Sequence, residues 1–221
     1  MKEINSLKYN GQAEQDKFVC NTLKDKTNGF FIEVGSNDPI CINNTYLLES
    51  SLNWKGLMFE FEESFENSYK QHRANSNYIF GDAQNHNYYD IFDKYNVPHN
   101  IDYLQLDIEP PRKTLNVLKS LDEQVMDDYK FATITFEHDY CHTRDINPRN
   151  ESRKILLNRG YYLVFQDICN ADPQKVYEDW YVHPDLVDMD YIKTLQSKNE
   201  SQYESGIAEI KLTLNWQNII Y

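Results

Sequence analysis

Between residues 30 and 166 the chain repeats one pattern, a short β-rich run followed by a stretch with helical spacing. The runs are Phe30–Val34 (FFIEV), 57–61 (LMFEF), 78–80, 101–108 (IDYLQLDI), 131–136 (FATITF) and 161–165 (YYLVF), with a seventh at 179–182. Helical stretches at 43–52, 64–73, 88–95, 113–121 and 148–159 stand between them. Strands that alternate with helices pair in parallel through crossovers, which place helices on both faces of the sheet. The expectation is therefore an α/β fold with a mostly parallel, seven-stranded sheet. The breaks agree with this: Asn28-Gly29 turns the chain into the first strand, Pro110-Pro111 opens a helix, and Gly160 ends one. A helix at 14–23 leads the repeat. From residue 185 the chain turns helical and polar, with a further strand expected at 207–216. No repeat or linker divides it, which predicts one domain at 29–184, a leading helical segment at 1–28 and a C-terminal extension at 185–221.

In an open α/β sheet, ligands bind beyond the carboxyl ends of the strands, where the strand order switches direction. Every such end here carries acid: Glu33 to Asp38 after the first strand, Glu60 and Glu62 after the second, Asp82 after the third, Asp107 and Glu109 after the fourth, and Glu137 and Asp139 after the fifth. Each suggests a task. Gly35, with Ser36 and Asn37 beside it, lets backbone approach a ligand without a Cβ in the way. Glu33 can receive an ammonium group, Glu60 can accept from a ribose diol, and Asp82-Ala83 can meet an adenine edge. Neither G-x-G-x-x-G nor G-x-x-x-x-G-K-S/T is present. An acid-lined site would also repel a pyrophosphate. A ligand with a ribose, an adenine and a cationic amino-acid end suits it, and S-adenosylmethionine fits that description better than NAD or ATP.

A second cluster joins Asp107, Glu109, Glu137, His138 and Asp139. Asp107, Glu109 and Glu137 are hard oxygen ligands of the kind that hold Mg²⁺ or another divalent cation. Alternatively His138 is a general base beside carboxylates, with Asp107 or His183 as further candidates. Trp180, in the polar-aromatic run 178–184, reads as core. The net charge of −13 argues against a nucleic-acid partner. The basic clusters at 70–73 and 149–159 are flanked by acids and read as solvated helix faces.

The first ten residues lack the apolar stretch of a signal peptide, and the longest apolar run, 161–165, is far too short to span a bilayer. A soluble, cytoplasmic protein with reduced thiols at Cys20, Cys41, Cys141 and Cys169 is expected. A bias to Asn, Ile, Lys and Tyr is that of an AT-rich genome, viral or bacterial.

Several segments are similar to a known family. Residues 12–19 (QAEQDKFV), 29–38 (GFFIEVGSND), 44–49 (NTYLLE), 54–56 (WKG), 101–109 (IDYLQLDIE) and 134–138 (ITFEH) occur in an order that resembles the FkbM family of S-adenosylmethionine-dependent methyltransferases. The resemblance implies a Rossmann-like methyltransferase fold and O-methylation of a hydroxyl on a sugar, glycan or other small acceptor. By motif, it places Glu33, Gly35 and Asn37 at the methionine end of the cofactor, Glu60 at the ribose, and Asp82 and Ala83 near adenine. It sets Asp107 and Glu109 toward the transferred methyl, and Gln15 on a leading helix that lids the cofactor. The chain departs from the family at Pro39 and at Pro110-Pro111-Arg112, where the family usually has Gly and Gly-Ala-Glu. Two alternatives stand beside this reading: a metal-dependent nucleotide-sugar glycosyltransferase, with Asp107 and Glu109 as its metal-binding acid pair, and, motivated by those departures, a degenerate methyltransferase fold serving as a binding module.

Overall fold

The computed structural model describes residues 7–169 and 175–204. The expected strand at 207–216 lies outside them. In chain order the elements are α1 (Gln15–Thr22), β1 (Phe30–Val34), α2 (Tyr46–Leu52), β2 (Lys55–Glu60), α3 (Glu66–His72), β3 (Asn77–Phe80), α4 (Tyr88–Lys94), β4 (Asn100–Leu106), α5 (Pro111–Gln124), β5 (Lys130–Glu137), α6 (Tyr140–Thr143), α7 (Ile146–Asn158), β6 (Tyr162–Cys169), β7 (Val176–Val182) and α8 (Met189–Glu204). The seven strands form one sheet in the order β3-β2-β1-β4-β5-β7-β6. The first five run parallel, and β7 is antiparallel to both β5 and β6. The strand order reverses between β1 and β4, which fixes the switch point.

All five residues of β1 are buried, as expected of a central strand covered on both faces. Phe30, Ile32 and Val34 face one core with Phe59, Leu104, Leu118 and Phe136. Phe31 faces a second core with Phe18, Leu48, Met58, Tyr103 and Trp180. Glu33, two residues on from Phe31, shares that second face. Trp180 belongs to the second core, where it stacks on Phe18 at 4.8 Å. That contact ties α1 to β7, and an edge contact of Phe18 with Phe165 at 6.1 Å ties it to β6. With only 7 glycines in the chain, turns lean on asparagine: Asn28, Asn37, Asn53 and Asn96 all take positive φ.

Three local expectations need correction. The helix expected from Asn43 begins only at Tyr46, leaving Asn43 and Asn44 in the preceding loop. Arg73 is not on a solvated face but wholly buried, within 2.8 Å of the Glu49 carboxylate. Arg149 and Arg153 are mostly buried against Asp167 and Asp179. Periodicity could not reveal these, because an ion pair hides a cation as effectively as solvent displays it. Among the described residues no helix is long and apolar enough to cross a membrane.

Candidate active site

A cavity of about 940 Å³ opens above the carboxyl ends of the parallel strands. Gly35 turns the chain out of β1 at φ +81°, and a Cβ there would lie 1.7 Å from the Asp107 carbonyl oxygen. Glycine is therefore required by the closure of the β1 and β4 ends onto each other, rather than by a ligand. The next residues are braced against β2. Asn37, at φ 47°, donates its backbone N–H to Glu60 Oε2 at 2.6 Å, and Glu62 N–H donates to Oε1 at 2.8 Å. Glu60 is thus held rigidly while each oxygen keeps capacity to accept a further hydrogen bond. Asp82 caps the turn after β3 by accepting from Gln84 N–H at 3.1 Å, with Ala83 buried beside it. Ser36, Asn37, Glu60, Asp82 and Ala83 all line the cavity, as expected from their strand ends.

Glu33 also lines the cavity, and its environment is the most built part of the site. Its Oε2 accepts from Thr45 Oγ1 at 2.8 Å and Asn43 Nδ2 at 3.3 Å, and Arg73 stands 3.9 Å away. Burial pushes the carboxyl up to about 7, which the Arg73 charge and these hydrogen bonds offset only in part. Arg73 is itself shared: Nε binds Glu49, NH1 binds Asn43 Oδ1 and NH2 binds Thr45 Oγ1. Beside them, Asn44 Oδ1 is buried, has no hydrogen-bond partner among the described residues and belongs to a residue lining the cavity.

The opposite wall gathers carboxylates from β4 and β5. Asp107 and Glu137 hydrogen-bond each other, which requires a proton on one of them. Both are raised above the usual carboxylate range, by burial first and then by neighbouring acids. Glu109 and Asp139 complete this wall. Beneath it Glu178 is paired in register with Glu137 across β7 and β5, and burial pushes it up to about 8. It accepts from Trp180 Nε1 at 2.8 Å and Gln15 Nε2 at 3.0 Å.

Four expectations fail on this geometry. Gln15 is consumed by Glu178 and is not among the cavity's lining; Gln12 lines it instead. His138 is fully buried outside the cavity, with Nδ1 accepting from Tyr140 N–H and Nε2 3.7 Å from Asp167 and Asp179. His183 lies at the other end of the sheet, because β7 runs antiparallel and its last residues pair beside Ala132 at the start of β5. Asp107, Glu109 and Glu137 do not converge as a metal set. Among the described residues, the ligating groups that come within 4.8 Å of one another are Asp139, Cys141 and His142, and separately His138, Asp167 and Asp179. Residues that line the cavity without having been expected include Asn44, Lys113 and His142. A histidine four residues beyond His138, on a helix turn rather than a strand, carries no pattern that separates it from a surface residue.

Solved structures share this architecture. A candidate rRNA-methylase of Clostridium thermocellum superposes with a TM-score of 0.53 at 13% identity, over 78% of this chain and 95% of that one. The METTL16 MTase domain gives 0.53 at 14% identity, over 79% and 67%. The chain has the methyltransferase fold. At such identities the likeness establishes the fold alone. No protein-family model and no curated protein matches the chain, so the resemblance to the FkbM family rests on the motifs quoted above.

Proposed function

We propose that the protein is an S-adenosylmethionine-dependent methyltransferase that methylates a hydroxyl of a sugar, glycan or other small acceptor, as FkbM-family enzymes do. The observation that supports this most is the rigid Glu60 carboxylate beside Gly35 and the Glu33 cluster, at the switch point of a methyltransferase fold. In this reading Glu60 accepts from the ribose hydroxyls, Asp82 and Ala83 flank the adenine, and Glu33 with Asn44 Oδ1 receives the ammonium group. A cationic cofactor also suits the wall chemistry. Among the described residues nine carboxyl groups line the cavity, Glu33, Glu60, Asp107 and Glu137 among them, against Lys113 and His142. The same excess disfavours RNA and phosphorylated acceptors, and a nucleotide-sugar pyrophosphate with them.

Methyl transfer breaks the sulfonium S–CH₃ bond and forms O–CH₃, while the acceptor's hydroxyl proton must leave. With His138 and His183 outside the cavity, Asp107 is the best-placed proton acceptor. Its raised pKa brings it nearer to neutrality, where a carboxylate base works best, and Glu137 holds the proton the pair already shares. Most of the rate enhancement would come from alignment of donor and acceptor.

Isothermal titration with S-adenosylmethionine tests the reading. Binding in the micromolar range is expected, weakened about tenfold or more in Glu60→Ala as two ribose hydrogen bonds are lost. No binding at millimolar cofactor overturns it.

A further inference from the structure

The geometry points to a transition-metal site of the zinc class, formed by Asp139, Cys141 and His142 at the edge of the active-site cavity. We infer it from three side chains that meet where β5 ends and α6 begins. Asp139 Oδ1 lies 2.5 Å from His142 Nδ1 and 3.7 Å from Cys141 Sγ, and Sγ lies 3.3 Å from Nδ1. A triangle with these edges has a circumradius of about 1.9 Å. An ion at ordinary zinc distances, ~2.0–2.2 Å from O and N and ~2.3 Å from S, therefore sits slightly out of its plane, with the Oδ1–Nδ1 edge opening from 2.5 Å toward the roughly 3.3 Å of tetrahedral geometry.

The backbone that presents the three groups is anchored. The N–H groups of His138 and Asp139 both donate to the Tyr177 carbonyl, at 2.7 and 2.9 Å. Thr143 closes the turn with its hydroxyl on the Asp139 carbonyl at 2.9 Å. Asp139 and Cys141 are buried, whereas His142 is exposed, and both Asp139 and His142 line the cavity. Three protein ligands with the remaining side open to a cavity make the arrangement of a catalytic rather than a structural zinc ion. The open position would take water or an oxygen of the acceptor. Binding displaces the Cys141 thiol proton to solvent, and the neutral imidazole binds through Nδ1 with its one proton on Nε2. The ion's two positive charges are then matched by one thiolate and one carboxylate.

Ligand chemistry selects the metal. A thiolate with an imidazole favours Zn²⁺ or Co²⁺ and disfavours Mg²⁺ and Ca²⁺, which prefer oxygen alone. It also separates this cluster from His138, Asp167 and Asp179, where Arg149 and Arg153 already stand within 3.1 Å of the carboxylates and supply the positive charge.

The site is testable without cofactor or acceptor, so its failure and that of the methyltransferase reading are distinguishable. Titration of the reduced full-length protein with Co²⁺ should show one equivalent bound, with visible ligand-field bands and a near-ultraviolet thiolate-to-cobalt charge-transfer band. Cys141→Ser should abolish the charge-transfer band while Cys41→Ser, at an exposed thiol, keeps it. His142→Ala should weaken binding by at least the roughly 10- to 100-fold that loss of even an outer-shell partner costs. Absence of the charge-transfer band in the wild type, or its persistence in Cys141→Ser, overturns the assignment. Cobalt binding of unchanged affinity in His142→Ala overturns it equally.

Discussion

Two acid clusters stand on either side of the β5 end, and they are handled in opposite ways. Behind β5, Asp167 and Asp179 are matched within the chain: Arg153 binds both, Arg149 binds Asp167, and Asp179 also accepts from the Asp167 N–H at 2.8 Å. Burial pushes Asp179 up, but the Arg153 guanidinium more than offsets this and holds it well below the usual carboxylate range. On the cavity side, Asp107, Glu137 and Glu178 have no such cation among the described residues and are all raised. A fold that neutralises one buried acid set completely and leaves the adjacent one protonated or exposed to a cavity is keeping the second for something that arrives from outside. The first cluster belongs to stability and the second to a ligand.

Removing the internal cation should break this comparison most severely. Arg153→Met leaves Asp179 buried without its partner, and loss of one partner from a buried ion pair destabilises by about 3–5 kcal/mol. Chemical denaturation should show that loss, whereas Lys113→Met on the cavity rim should leave the unfolding midpoint essentially in place. Equal effects of the two substitutions would mean that the clusters do not differ as described.

The cavity side should respond in the opposite direction. Glu178→Gln removes a buried ionisable group while its carbonyl oxygen can still accept from Gln15 and Trp180, so at pH 8 the variant should be more stable by up to about 4 kcal/mol. The wild type should show the same physics with pH. Glu33, Glu178 and Asp107 are raised to about 7, 8 and 6, so the folded state binds their protons more tightly than the unfolded state does. Stability should therefore rise as pH falls from about 8 toward the ordinary carboxylate values near 4.5, and the advantage of Glu178→Gln should shrink over the same interval. Below that range Asp179 works in the other sense. Its lowered pKa gives stability that is present above its unfolded value and lost on acidification, so the melting temperature should pass through a maximum in mild acid. A melting temperature that climbs steadily from pH 5 to 8 would contradict the assignment of uncompensated acids to the cavity.

The sheet and the cavity acids were legible in the sequence for one reason, that strand periodicity and strand ends are local signals. Phe30–Val34 is found with its bounds unchanged, and Glu33, Glu60, Asp82 and Asp107 line the cavity because a parallel strand delivers its last residue to the same rim each time. His183 was misplaced by the reversal of β7, a pairing decision that no local pattern carries. His138 was misplaced for a subtler reason. It follows Glu137 directly, and successive strand residues point to opposite faces, so a neighbour of a cavity residue is the position least able to share its cavity. His142 reaches the rim only because the left-handed backbone at Asp139, φ 40°, folds α6 back over the strand end.

The smallest predicted effect bears on the residue type whose placement the sequence concealed. Lys70 and Arg73 sit within one turn at the end of α3 and form one basic cluster on paper. Lys70 pairs with Glu66 at 2.7 Å, but both side chains are more than half or half exposed, and an exposed i,i+4 pair contributes little in water. Arg73 has no exposed surface, and its guanidinium joins Glu49, Asn43, Thr45 and the Pro39 carbonyl around Glu33. Lys70→Ala should therefore leave both the melting temperature and cofactor affinity within error of the wild type, at low and at high salt. Arg73→Lys, which keeps the charge but not the planar fork, should weaken both, since one ammonium group cannot make the same set of directed bonds. If Lys70→Ala proved as damaging as Arg73→Lys, the basic cluster would be acting through its net charge, and the placement of Arg73 as the brace of Glu33 would be wrong.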